Sequence, residues 1–216
     1  MKRLFFAVMA ITLMAAPMAN AQKVNKAAIV AKLDKADADS KDAKKGSKAA
    51  TWLARGNAYY EAASAAWADL FVGMEDAMLA LTLGKPEAQN ANVELNGKVL
   101  TEHVYPWVKI YTADGKVVTW IVTQTVKEGD LAAEAVASFK KAYELDAKQA
   151  AKVADGLKKV ENYYNTLGNV CLDAGLAAQA AQNYMAAYGT QQTAGYTGDV
   201  KNDYLYYAGY LYVVDG

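Results

Sequence analysis

His103 and Cys171 are the one histidine and the one cysteine in the chain, and by type they are the residues best suited to catalysis. A thiol activated by an imidazole would give a nucleophile for acyl transfer. Cys171, however, falls at an apolar position of a helical pattern, where burial raises a thiol's pKa and shuts out substrate, so an inert thiol is expected. His103 stands beside Glu102 in a polar stretch. With one His and one Cys, a zinc site would have to be mostly carboxylate, an uncommon ligand set. No Gly-x-Gly-x-x-Gly or Walker spacing offers a phosphate loop. The carboxylates are interspersed with lysines, as in Asp34, Lys35, Asp37 and Asp39. That is the pattern of a solvated helix face, not of a paired acid and base. The expectation is a chain without catalytic residues, metal or cofactor.

Surface is left to carry function, and composition narrows its kind. Lys2 and Arg3, an apolar stretch from Leu4 to Ala16, and then Ala19, Asn20 and Ala21 read as a secretory signal peptide over residues 1–21. Cleavage is expected between Ala21 and Gln22, which makes the mature protein periplasmic or extracellular. Losing Lys2 and Arg3 leaves 21 basic residues against 23 acidic ones, a formal charge of −2. Nucleic-acid binding has no electrostatic support at that balance. No later apolar run reaches membrane-spanning length, so no span is expected after cleavage. A single cysteine allows no intrachain disulfide, and stability must come from packed surface.

Tyr164 is followed at helical spacing by Leu167, Gly168 and Cys171; after a turn at Asp173, Ala174 and Gly175 come Ala180, Tyr184 and Ala187. Steps of three and four put each set on one helix face. Glycine inside a helix costs about 1 kcal/mol relative to alanine, so Gly168 implies a close crossing with a partner helix. These residues resemble the signature of the tetratricopeptide repeat (TPR), with Tyr replacing Trp and Phe and Cys replacing Tyr. A second copy of the first-helix pattern is Trp52, Gly56, Asn57, Ala58, Tyr59 and Tyr60, with Arg55 at the usual Leu position. Its second helix reads far downstream, as Ala135, Phe139 and Ala142 in the run from Leu131 to Leu145. A third first helix is Leu205, Ala208, Gly209 and Tyr212. It ends at Asp215 and Gly216, so the last repeat, 203–216, reads as incomplete and the sequence as truncated within it. Ile29, Leu33 and Ala36 mark a capping helix in the 22–46 segment. The resemblance implies a mainly α fold, a TPR-like helix-turn-helix array (an α-solenoid) over 47–216, clearest at about 162–188.

Between about 73 and 128 the period fails. Met74 to Leu83 is helical, Gly84, Lys85 and Pro86 break it, and a polar loop is expected next. Val104 to Thr112 and Lys116 to Thr125 read as strands joined around Asp114 and Gly115, a β-hairpin over about 104–125. Val108 and Ile110 share one face, with Trp107 and Tyr111 on the other, and Val118, Trp120 and Val122 alternate likewise. One face should pack on the helices, because an isolated hairpin is marginal in water. Pro106 has no N–H to donate, which places its strand at an edge.

In TPR proteins the first helices line a concave groove. By that resemblance Asn57, Tyr60, Asn165, Asn169, Asp173 and Tyr210 are the candidate partner-binding residues. Asn side chains offer donors and acceptors to a peptide backbone, and Tyr is a frequent interface anchor. The Lys and Arg of a carboxylate clamp are missing. The expected function is an exported, non-catalytic TPR scaffold or adaptor that holds a partner protein or peptide in the groove. The alternative is a substrate-binding module in which the groove and the aromatic hairpin, Trp107 and Trp120, hold a small molecule or glycan.

Overall fold

The computed structural model describes residues 24–215, so the signal-peptide reading of residues 1–21 lies outside the described residues. Seven helices are described: α1 (Lys26–Lys41), α2 (Ala49–Ser64), α3 (Asp76–Leu83), α4 (Leu131–Leu145), α5 (Ala150–Asp173), α6 (Ala177–Gln191) and α7 (Asp203–Asp215). Between α3 and α4 run four strands, β1 (Ala88–Leu95), β2 (Lys98–Val104), β3 (Val108–Ala113) and β4 (Lys116–Val122). They form one antiparallel sheet in the order β1-β2-β3-β4.

This overturns the expectation of a mainly α, TPR-like α-solenoid carrying a β-hairpin: the fold is mixed α/β, with a complete four-stranded antiparallel sheet. The error lies in the polar stretch after Pro86. It was expected to be a loop because it lacks apolar alternation, yet it forms β1 and β2. None of the eight β1 residues, Ala88 to Leu95, is buried, so no core face imprinted itself on the sequence. The available signal was the turn: Asn96 and Gly97 both have positive φ, 50° and 70°, as a two-residue hairpin turn requires. Asp114 and Gly115 make the equivalent turn between β3 and β4, with φ of 50° and 73°.

Three further expectations about this region are corrected. Pro106 sits in the turn between β2 and β3, where no ladder bond is lost, and β3 is an interior strand. A register shift at Tyr111/Thr112 moves Val117, in place of Val118, into the core beside Trp120. His103, expected in a polar approach, is buried in β2 with Nε2 3.1 Å from Thr112 Oγ1.

The helices pack in the spatial order α1, α2, α4, α5, α6, α7, so the sheet is an excursion between α2 and its packing partner α4. Asn25 caps α1 by accepting from the Ala28 N–H, and Asp130 caps α4 by accepting from the Ala133 N–H. The helical core runs from Leu33 through Leu53, Tyr59, Phe139, Leu157 and Tyr184 to Leu211. A second core joins Val108, Ile110, Val117 and Trp120 of the sheet to Trp67, Leu70 and Met74, to Leu79 of α3 and to Val170 of α5. The docking of sheet on helix is specific. Thr119 Oγ1 donates to the Val170 carbonyl at 2.7 Å, and Asn96 Nδ2 reaches the Leu172 and Asp173 carbonyls at 3.3 Å each. These are carbonyls near the end of α5; those of Val170 and Leu172 also accept from the Ala174 and Gly175 N–H, so the sheet adds donors to the helix end.

Candidate functional site

Three helix positions that resemble one another behave differently. A methyl built on Gly56 would stand 2.7 Å from Phe139 Cε1, and one on Gly168 would stand 2.6 Å from Tyr184 Cε1. In both cases an aromatic ring of the partner helix, α4 or α6, occupies the space that a side chain would take. Phe139 is shared further: a methyl on Gly156 of α5 would lie 2.5 Å from its Cζ. At Gly209 of α7 nothing among the described residues lies within 4 Å of such a methyl.

The reason is that, among the described residues, α6 is the one helix packed broadly against α7. Tyr204, Ala208 and Leu211, at spacings of four and three, are buried against α6, where the Tyr204 ring stacks on Tyr184 at 6.2 Å between centroids. Tyr206, Gly209, Tyr210 and Val213 fall on the opposite face. Leu205, Tyr206, Tyr207, Tyr210, Tyr212 and Val213 are all exposed, by 39% to 81%. These side chains make the outer face of α7 rich in exposed apolar and aromatic surface.

A buried carboxylate holds this helix in place. Glu161 of α5 accepts from Gln191 Nε2 at 2.9 Å, from the Tyr204 hydroxyl at 3.0 Å and from the Tyr196 hydroxyl; Lys201 Nζ is 3.6 Å away. Burial disfavours its charge, but the hydrogen bonds from Tyr196, Gln191 and Tyr204 and the Lys201 charge outweigh that and hold the carboxyl below its ordinary range. The same carboxylate and burial push the Tyr196 and Tyr204 hydroxyls upward.

A second feature is a cavity of about 320 Å3 between the end of α2, α5 and the β4 side of the sheet. Trp67, Trp107, Trp120, Tyr163 and Tyr164 contribute to its wall, as does Asp130. Trp67 lies 5.3 Å from Tyr163 in a stacked arrangement and 5.7 Å from Trp120. The Tyr164 hydroxyl donates to both Asp130 carboxylate oxygens at 2.9 Å. Burial, and then the Asp130 charge, push the Tyr163 and Tyr164 hydroxyls far above their ordinary values, so both stay neutral. Cys171 also borders this cavity, half-buried, with its thiol 3.9 Å from Gln179 Oε1 and from Asn183 Nδ2; burial raises its pKa. His103 is buried in the sheet and Cys171 lies on α5, and no hydrogen bond joins them. Among the described residues no group of three or more His, Cys, Asp and Glu is placed to hold a metal ion.

The six candidate residues lie on three helices. Asn57 is exposed and Tyr60 half-buried on α2, where burial raises the Tyr60 hydroxyl. On α5, Asn165 is half-buried, Asn169 accepts from the Tyr184 hydroxyl at 2.8 Å, and Asp173 faces Lys98 of β2 at 3.9 Å. Tyr210 is exposed on α7. Among the described residues no hydrogen bond, ion pair or ring contact joins any two of the six. The residues that sequence reasoning missed are Glu161 and Asp130. Each is a carboxylate whose partners are distant in sequence, so no local spacing marks it. No helix among the described residues is long and apolar enough to cross a membrane.

No family model, no curated protein and no solved structure matches the chain.

Proposed function

We propose that the protein is a non-catalytic adaptor, acting outside the cytoplasm after loss of residues 1–21, that docks an amphipathic helix of a partner polypeptide on the open face of α7. The observation that carries this reading is the contrast between Gly209, with nothing within 4 Å, and Gly56 and Gly168, each filled by an aromatic ring of a neighbouring helix. The chain itself indicates the occupant's chemistry. On α2 the covering helix is α4, with Ala135, Phe139 and Ala142; on α5 it is α6, with Ala180, Tyr184 and Ala187. The partner helix thus presents one aromatic between two alanines, four residues after the first and three before the second. The α2/α4 and α5/α6 pairs are thus the chain's own examples of an aromatic ring seated over a helix glycine, and Gly209 offers the same kind of seat. Of the six candidate residues, Tyr210 is the one retained as a direct contact, with Tyr206 and Val213 beside it.

The test is photocrosslinking in cells from position 210, with position 41 as the control, since Lys41 is exposed on α1. The reading predicts one recurrent polypeptide captured from 210 and not from 41, and its loss in Gly209→Leu, which fills the open space. Capture that is absent, or that Gly209→Leu leaves unchanged, would overturn it.

A further inference from the structure

The cavity beside the sheet has a composition that selects its ligand. Five aromatic rings, Trp67, Trp107, Trp120, Tyr163 and Tyr164, share the wall with Asp130, while among the described residues no Lys, Arg or His lines it. An anion would find no formal positive charge in that lining to set against Asp130, although the wall residues Trp67 and Trp120 carry buried indole N–H groups without partners. A neutral apolar molecule would suit the rings but would leave the exposed Asp130 carboxylate, which accepts from Ala133 and Tyr164, without a charge partner. An aromatic ring attracts a cation to its face, and Trp107 already has one near it: Lys26 Nζ lies 6.0 Å from its ring centroid. A primary ammonium holds its water tightly and needs acceptors for three N–H groups. Alkylation removes those donors and covers the charge with carbon that can pack on rings.

We propose that this cavity binds a small alkylated ammonium ion, its carbons against the tryptophan and tyrosine rings and its charge facing Asp130. Asp130 is held for that role by the Ala133 N–H and the Tyr164 hydroxyl, so its carboxylate is oriented before any ligand arrives. A volume of about 320 Å3 is at the small end of ligand pockets, matching a compact cation. The neighbouring tyrosine hydroxyls are neutral, which leaves Asp130 as the one formal charge in the wall.

The experiment titrates the full mature chain with choline and with its neutral isostere 3,3-dimethylbutan-1-ol, reading intrinsic fluorescence and heat. Three of the four tryptophans line the cavity, so occupancy is reported directly. The expected result is saturable choline binding with no saturable response to the isostere. Asp130→Asn, which keeps an oxygen for the helix cap and for Tyr164, should weaken choline binding roughly tenfold or more. Trp107→Ala should weaken it as well. Equal binding of the two compounds, no saturable choline signal from the folded wild-type chain, or an unchanged affinity in Asp130→Asn would each overturn the proposal. The comparison of the two compounds requires no variant, so a variant that fails to fold does not remove the test.

Discussion

Tyr184 occupies the space that a side chain on Gly168 would need, with Cε1 2.6 Å from where a methyl would stand. The ring cannot swing aside freely: Tyr184 is buried and its hydroxyl donates to Asn169 at 2.8 Å. Gly168→Ala gains about 1 kcal/mol of helix propensity but forces an overpacked contact, which typically costs about 1–3 kcal/mol. Gly209→Ala gains the propensity and meets nothing. Thermal and urea unfolding of the two variants should therefore shift in opposite directions, down for Gly168→Ala and up, by about 1 kcal/mol, for Gly209→Ala. A shift of the same sign in both would contradict the close-crossing argument.

Phe139 joins three helices, lying against Gly56 of α2 and Gly156 of α5 from its own place on α4. Phe139→Ala should cost about 3–5 kcal/mol. Gly56→Ala alone should also destabilise, because its methyl has no room beside the ring. Once the ring is gone the methyl has room, so the double variant should be more stable than the sum of the two single effects predicts. A double-mutant cycle in urea reads this coupling directly, and additivity within about 0.5 kcal/mol would show that ring and glycine do not compete for the same space.

How much of this was readable beforehand depended on whether burial left a periodic mark. Ala135, Phe139 and Ala142 repeat at four and three because they face one partner, and α4 has the bounds Leu131–Leu145. Val108 and Ile110 alternate because one sheet face is buried. β1 and β2 left no such mark, since β1 is wet along its length and the buried members of β2 include Glu102 and His103. Glu102 is held there by Asn90 of β1 and by Lys109 and Tyr111 of β3, partners on the two neighbouring strands. The aromatic residues of the cavity were partly legible, Trp107 and Trp120 as members of a hairpin. Asp130 was not, because its position at the wall follows from where α5 brings Tyr164.

Arg55 takes the position where the repeat pattern has Leu, and the structure gives it a use. Its guanidinium reaches Asp37 of α1 at 2.9 Å, Glu134 of α4 at 2.8 Å and Ser138 at 2.6 Å, and it lies 4.3 Å from the Tyr59 ring centroid. Arg55→Leu would put the residue of the repeat pattern there but takes a charge partner from Asp37, whose carboxyl is held below its ordinary range against burial by Tyr59, Arg55 and Lys127. The substitution should destabilise by roughly 1–3 kcal/mol, the scale of lost hydrogen bonds to charged groups. Adding Asp37→Asn should recover part of that loss. A more stable Arg55→Leu would mean that the three-helix tie contributes nothing.

Glu161 makes the docking of α7 sensitive to acid. Its folded pKa lies below the unfolded value of about 4.3, because Tyr196, Gln191, Tyr204 and Lys201 favour the charged form more than burial disfavours it. A depressed carboxyl pKa contributes stability that is fully present above the unfolded value and is lost as pH falls through the folded one. Wild type should thus exceed Glu161→Gln by roughly 1–3 kcal/mol near neutrality, the range for hydrogen bonds to a charged group. That margin should shrink from about pH 4.3 downward, as the wild-type carboxylate takes up the proton that the amide already mimics. Because Gln191, Tyr196, Lys201 and Tyr204 all belong to the end of α6, α7 or the segment between them, the loss should appear there first. Hydrogen exchange across α7 is the direct measurement: its amides should lose protection in Glu161→Gln at neutral pH and in wild type at acid pH, while α4 keeps its protection. Uniform loss over the whole chain would place Glu161 in global stability and not in the attachment of the helix that carries the open face.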